Sequence, residues 1–118
     1  MPRAQREIIP GTSHHITQRG NYRQTVFFRD EDRRFYLDLL SEFLPHYRVA
    51  LEGYCLMNNH VHLVATPHDK KGLSRAMQRI YSDYARGLHL RLRRIEHLWQ
   101  ARFESVPQDD KHSWDALL

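Results

Sequence analysis

His60-Val61-His62 is the stretch of this sequence best suited to chemistry. In a β-strand, side chains alternate between faces, so His60 and His62 point one way and Val61 the other. Two imidazoles about 7 Å apart along one face can grip a single divalent ion. Two protein ligands leave coordination positions open for a third ligand and a substrate oxygen, as catalytic metal sites do. The plain alternative is a half-exposed strand with two solvated rings. Leu63-Val64-Ala65 continues the run with apolar residues, which favours a central strand. A closed structural metal site would instead need two more ligands to converge on the pair, drawn from His14, His15, Gln100 or His112.

The elements that must position this pair follow from the rest of the chain. Residues 13–19 form a short polar strand, with His15 and Thr17 on one face and His14, Ile16 and Gln18 on the other. Gly20 to Gln24 breaks it. Asp30 is the expected N-cap of a helix running to about Tyr47, with Phe35, Leu39, Leu40, Phe43, Leu44 and Tyr47 as its apolar stripe and Pro45 disturbing its last turn. Residues 49–57 and 60–66 read as two strands. The Asn58-Asn59 link makes them an antiparallel hairpin, because asparagine tolerates the left-handed conformations of tight turns. A second long helix is expected from about Ser74 to Arg94, burying Leu73, Met77, Ile80 or Tyr81, Tyr84 and Leu88, with Gly87 weakening it mid-course. Residues 98–106 read as a fourth strand, and one more helix is expected to begin near Ser113. The order strand, helix, strand, strand, helix, strand predicts an α+β domain of ferredoxin-like βαββαβ plan: a four-stranded antiparallel sheet with both helices on one face. Residues 1–12 are expected to be a mobile N-terminal arm, and residues 13–118 a single domain lacking its final helix.

Composition narrows the function. The chain has 118 residues and a formal net charge of +4, with 15 Arg against 3 Lys. The planar guanidinium fork suits phosphates and stacks on bases, so the bias points towards nucleic acid. Arg19, Tyr22 and Arg23, clustered after the first strand, could grip a nucleic-acid backbone or form a solvated loop. No apolar run is long enough for a transmembrane helix, and the N-terminus lacks a signal peptide's apolar segment, so a cytoplasmic protein is expected. The single cysteine, Cys55, reads as a small core residue.

Three ordered motifs carry a family resemblance: Thr17-Gln18-Arg19-Gly20-Asn21, Tyr54 to Val64 across the hairpin, and His97-Leu98-Trp99-Gln100-Ala101-Arg102-Phe103. Over residues 13–118 the sequence resembles the single-tyrosine HUH transposases of bacterial insertion sequences, particularly the REP-associated tyrosine transposases. The resemblance implies cleavage and strand transfer of single-stranded or hairpin DNA through a 5′-phosphotyrosine. It implies Mg²⁺ or Mn²⁺ held by His60 and His62, and DNA contacts from Arg19, Asn21, Tyr22, Arg23 and Arg102. Members of the family include monomers and dimers, which leaves a homodimer open.

One departure from the family pattern is decisive for activity. The attacking tyrosine of the family lies on the helix after the fourth strand, four residues before a Gln or Asn that supplies the third metal ligand. Residues 107–118 hold no tyrosine, so the chain reads as C-terminally truncated. Tyr81 and Tyr84 have the spacing of core residues, with Tyr84 the remaining candidate nucleophile. The competing function is a non-catalytic single-stranded DNA- or RNA-binding module on the same fold.

Overall fold

A computed structural model describes residues 8–93, 97–100 and 102–108. The elements are β1 (His14–Arg19), α1 (Asp30–His46), β2 (Val49–Met57), β3 (His60–Pro67), α2 (Gly72–Leu92) and β4 (Glu104–Pro107), with a 3₁₀ turn at Asn21–Arg23. The strands form one antiparallel sheet in the order β2-β3-β1-β4. This is the βαββαβ plan expected from the periodicities. The expected helix near Ser113 and most of the expected N-terminal arm lie outside the described residues. Residues 8–12 are tied to the domain: the Gly11 N–H donates to the Pro67 carbonyl, and Ile8 packs on the core.

Alternation along the strands sorts the two faces. Ile16, Val61, Leu63 and Ala65 are buried and join Tyr36, Leu40, Leu44, Leu73, Met77, Ile80, Tyr84 and Leu88 of the helices in one core. His15, Thr17, His60 and His62 point the opposite way, onto the face the helices do not cover.

Gly87 has a packing role beyond any weakening of α2. A Cβ there would fall 2.6 Å from Cε2 of Phe35, so the missing side chain leaves room for that ring over α2. Phe35 and Tyr84 stack across the same contact, with ring centroids 5.5 Å apart.

Three expectations need correction. The fourth strand covers only Glu104–Pro107, while Trp99 makes a single isolated bridge to Gly20. Leu98 and Phe103 are buried because that segment lies across the core, not because it is pleated. In α1 the buried aromatic is Tyr36, whereas Phe35 is at the edge of exposure. Asp30 is the first helical residue, not the cap. Asp32 does the capping, its carboxylate accepting the N–H groups of Phe28 and Arg29 at 2.9 and 3.2 Å.

Asp32 is almost fully buried and is also held by Arg91 near the end of α2, with both carboxylate oxygens 2.7 Å from one guanidinium nitrogen. Asp32→Ala removes both capping bonds, whereas the exposed Arg91 left behind can turn to water. The expected cost is about 1–2 kcal/mol of unfolding free energy, still more than a surface ion pair is worth. Urea denaturation of the variant beside Asp38→Ala tests this, and equal midpoints for the two would refute it.

Candidate metal centre and nucleic-acid face

The open face is built by register. Thr17 pairs with His62 and Arg19 with His60 across β1 and β3, while Cys55 and Met57 of β2 oppose His62 and His60 on the other side. All six residues therefore project from the same side of the sheet. His60 and His62 share this face as expected, their ring centroids 4.9 Å apart and their planes perpendicular. His15 stands on the far side of His62, its Nε2 2.9 Å from His62 Nδ1.

The protonation of His60 can be assigned from its partner. The Asn59 amide nitrogen lies 3.4 Å from the Arg23 carbonyl, a weak contact at best, and its Oδ1 faces His60. That oxygen can only accept, so the His60 Nδ1–H donates to it, at 2.6 Å, and leaves a lone pair on Nε2. A ring nitrogen tied in this way is the usual arrangement of a metal-ligating histidine. Two imidazoles with one tautomer already fixed thus fit a divalent ion as two of its ligands. Among the described residues no three His, Cys, Asp or Glu side chains are arranged to enclose an ion. The remaining positions would fall to water, substrate oxygens or other residues.

All three rings are held neutral around pH 7. Burial lowers the pKa of His15 below its ordinary 6.5. Burial, then Arg19, lowers that of His60. Burial, then the neighbouring His15, His60 and Arg19, lowers that of His62. The unfolded chain therefore takes up these protons near pH 6.5, before the folded chain does. While the unfolded state binds more protons, stability falls as pH falls, and the loss levels off once the folded rings are charged too. Denaturation midpoints should drop as pH falls through about 6.5. His15→Gln/His60→Gln/His62→Gln should flatten that slope, and an unchanged slope would exclude these rings as its cause.

The loop after β1 hangs on the hairpin turn. Gly20 donates its N–H to the Asn59 carbonyl at 2.9 Å, and Val26 and Phe27 donate theirs to that of Asn58 at 2.7 and 3.2 Å. Arg33 reaches Asn58 Oδ1 at 2.7 Å. Gly20 is required here, because a Cβ would lie 2.3 Å from the Gln24 carbonyl oxygen. Tyr22 and Arg23 both adopt left-handed backbone, at φ of 54° and 59°. Residues other than glycine occupy that region at a cost of about 1–2 kcal/mol each. The result is a tyrosine 95 % exposed.

The structure brings together only part of the sequence-derived set. Arg19 faces His60 and makes an exposed ion pair with Glu104 at 3.6 Å. Asn21, Tyr22 and Arg23 occupy the adjoining turn, where the Asn21 N–H donates to the Leu98 carbonyl. Arg102 stands apart, lining a cavity of about 420 Å³ with Gln18, Tyr81, Trp99 and Phe103. Tyr84 is fully buried, donates its hydroxyl to the Val26 carbonyl and has a pKa pushed far up, chiefly by burial. Sequence reasoning placed Asn59 only in the turn and missed it as the anchor of His60, and it missed Asp32 as the cap; for Asp32 the available signal was its place three residues after the helix boundary.

The profile of a family described as "Transposase IS200 like" matches residues 9–117. The chain belongs to the IS200-like transposase family. Among curated proteins none matches this IS200-like chain. Two solved structures share its fold. One is a REP-associated tyrosine transposase bound to a REP hairpin, at a TM-score of 0.79 and 13 % identity, covering 99 % of this chain and 68 % of that one. The other is a candidate transposase of Deinococcus radiodurans R1, at a TM-score of 0.61 and 18 % identity, covering 97 % and 91 % respectively. No described helix of this family member is long and apolar enough to cross a membrane.

Proposed function

We propose that this IS200-like chain binds single-stranded or hairpin DNA on the open face of its sheet and serves metal-assisted cleavage and strand transfer there. The observation that carries this is the placement of His60 and His62 side by side, with Arg19 opposite His60. His60 and His62 would hold Mg²⁺ or Mn²⁺, which supplies polarisation of a phosphate oxygen and stabilisation of charge on the leaving oxygen. Arg19 would neutralise a neighbouring phosphate. Tyr22, held outward by its left-handed backbone, would offer a ring for base stacking. Asn21 and Arg23 would grip the backbone beside it, and Arg102, beside α2, would meet only a strand that continues past the open face.

In the reaction, a tyrosine oxygen attacks the scissile phosphorus and gives up its proton to solvent. The bond from phosphorus to the 3′ oxygen breaks, and that oxygen takes up a proton from solvent and leaves as a 3′ hydroxyl. Tyr84 does not suit the attack, because its hydroxyl is already bonded inside the core and burial keeps it protonated. The nucleophile is assigned, as the family resemblance implies, to a helix following β4, and residues 107–118 contain no tyrosine.

The test is incubation with an end-labelled DNA hairpin and Mn²⁺, read on native and denaturing gels. The 118-residue chain should retain the hairpin on the native gel and give no covalent band. A chain extended by a segment carrying Tyr-x-x-x-Asn should give one. A covalent band from the 118 residues that vanishes in Tyr84→Phe would overturn the assignment. Retention without a covalent band in the extended chain would favour a non-catalytic binding module.

A further inference from the structure

We infer that His15 is a positioning residue for His62, its Nε2 accepting the His62 Nδ1–H and so keeping the lone pair of His62 on Nε2. The inference takes the bond from the geometry and its direction from the metal-centre proposal, on which it rests. The two nitrogens are 2.9 Å apart, the ring planes differ by 21° and the centroids are 5.0 Å apart. An imidazole nitrogen lies about 1.2 Å from its ring centre, so an in-line, in-plane N–H···N bond of normal length gives a centroid separation of about 5 Å. The rings therefore meet edge to edge, with a lone pair aimed at a hydrogen, and are not stacked face on face.

The direction of that bond decides what His62 can do. With the proton on His62 Nδ1, its Nε2 is bare and can ligate. With the proton on His15 Nε2, His62 Nδ1 is consumed as acceptor and Nε2 carries a hydrogen. His60 next door shows the first arrangement, its Nδ1–H held by Asn59 Oδ1. Thr17 Oγ1 lies 3.4 Å from His62 Nδ1, too long to compete with His15 for that hydrogen. His15 thus gives His62 the same support that Asn59 gives His60: an acceptor fixed by the fold behind each ring. The two supports come from different elements, β1 for His62 and the hairpin turn for His60.

Nitrogen-15 NMR of the histidines in the metal-free, 118-residue protein reads the tautomers directly. His62 is expected with hydrogen on Nδ1. In His15→Ala it should shift towards the Nε2–H form that free imidazole prefers, and His15→Gln, whose carbonyl can also accept, should restore it in part. Mn²⁺ affinity, followed by the EPR signal of the free ion, should fall about 10–100-fold in His15→Ala and recover in His15→Gln. A wild-type spectrum with hydrogen on His62 Nε2, or a His62 tautomer indifferent to His15→Ala, overturns the inference. Because the wild-type spectrum alone fixes the direction, a poorly folded alanine variant does not shield the inference. The expected tautomers in a protein that binds no Mn²⁺ would uphold the positioning and refute the metal centre alone.

Discussion

His60→Ala/His62→Ala is expected to weaken Mn²⁺ binding more than ~100-fold, since loss of an outer partner alone costs about 10–100-fold and here the ligands themselves are gone. His68→Ala, a histidine just beyond β3, serves as the control and should leave affinity unchanged. The fold should survive, because both rings are only half-buried and the sheet's packed face is supplied by Val61, Leu63 and Ala65. Titration with Mn²⁺, followed by the EPR signal of the free ion, makes the measurement. Equal affinity in the double variant and the control would remove His60 and His62 from the metal centre.

The second large effect concerns salt. Each phosphate contact on a single strand adds about 0.7 to the slope of log affinity against log salt. Arg19→Ala/Arg23→Ala/Arg102→Ala should therefore lower the slope by about 2, so a fourfold rise in salt would weaken the variant about 20-fold less than the wild type. The single variants separate the contributions. Arg19, on the open face opposite His60, should matter for any strand reaching the histidines, whereas Arg102 lines a cavity beside α2. Fluorescence anisotropy with a hairpin and a blunt duplex at several salt concentrations supplies the slopes. Identical slopes for wild type and triple variant would show that these arginines touch no phosphate.

Local rules made the hairpin and its histidines legible, while long-range contacts hid other parts. Alternation alone places His60 and His62 on one face, and Asn58-Asn59 announces the turn. The fourth strand was overdrawn because Leu98, Trp99 and Phe103 are apolar for the sake of the core, and an apolar run does not say whether its backbone is paired. Leu39, Leu40 and Leu44 of the expected α1 stripe are buried, and only Phe35 gives its place in the core to Tyr36. The grip of Arg91 on Asp32, from 59 residues further on, is a contact that no local rule announces. His15 could be assigned a face from its strand, but only the β1–β3 register puts its ring beside that of His62.

The turn at Asn58-Asn59 also has a thermodynamic consequence. Its two carbonyls hold the 20–27 loop, and the Asn59 side chain holds His60. Loop and histidine thus share one turn as their anchor. If a strand bound at Tyr22 and Arg23 strengthens the grip on an ion, the ion must strengthen the grip on the strand by the same factor. The two affinities are then not independent properties of the protein, and neither has a single value without stating how much of the other ligand is present.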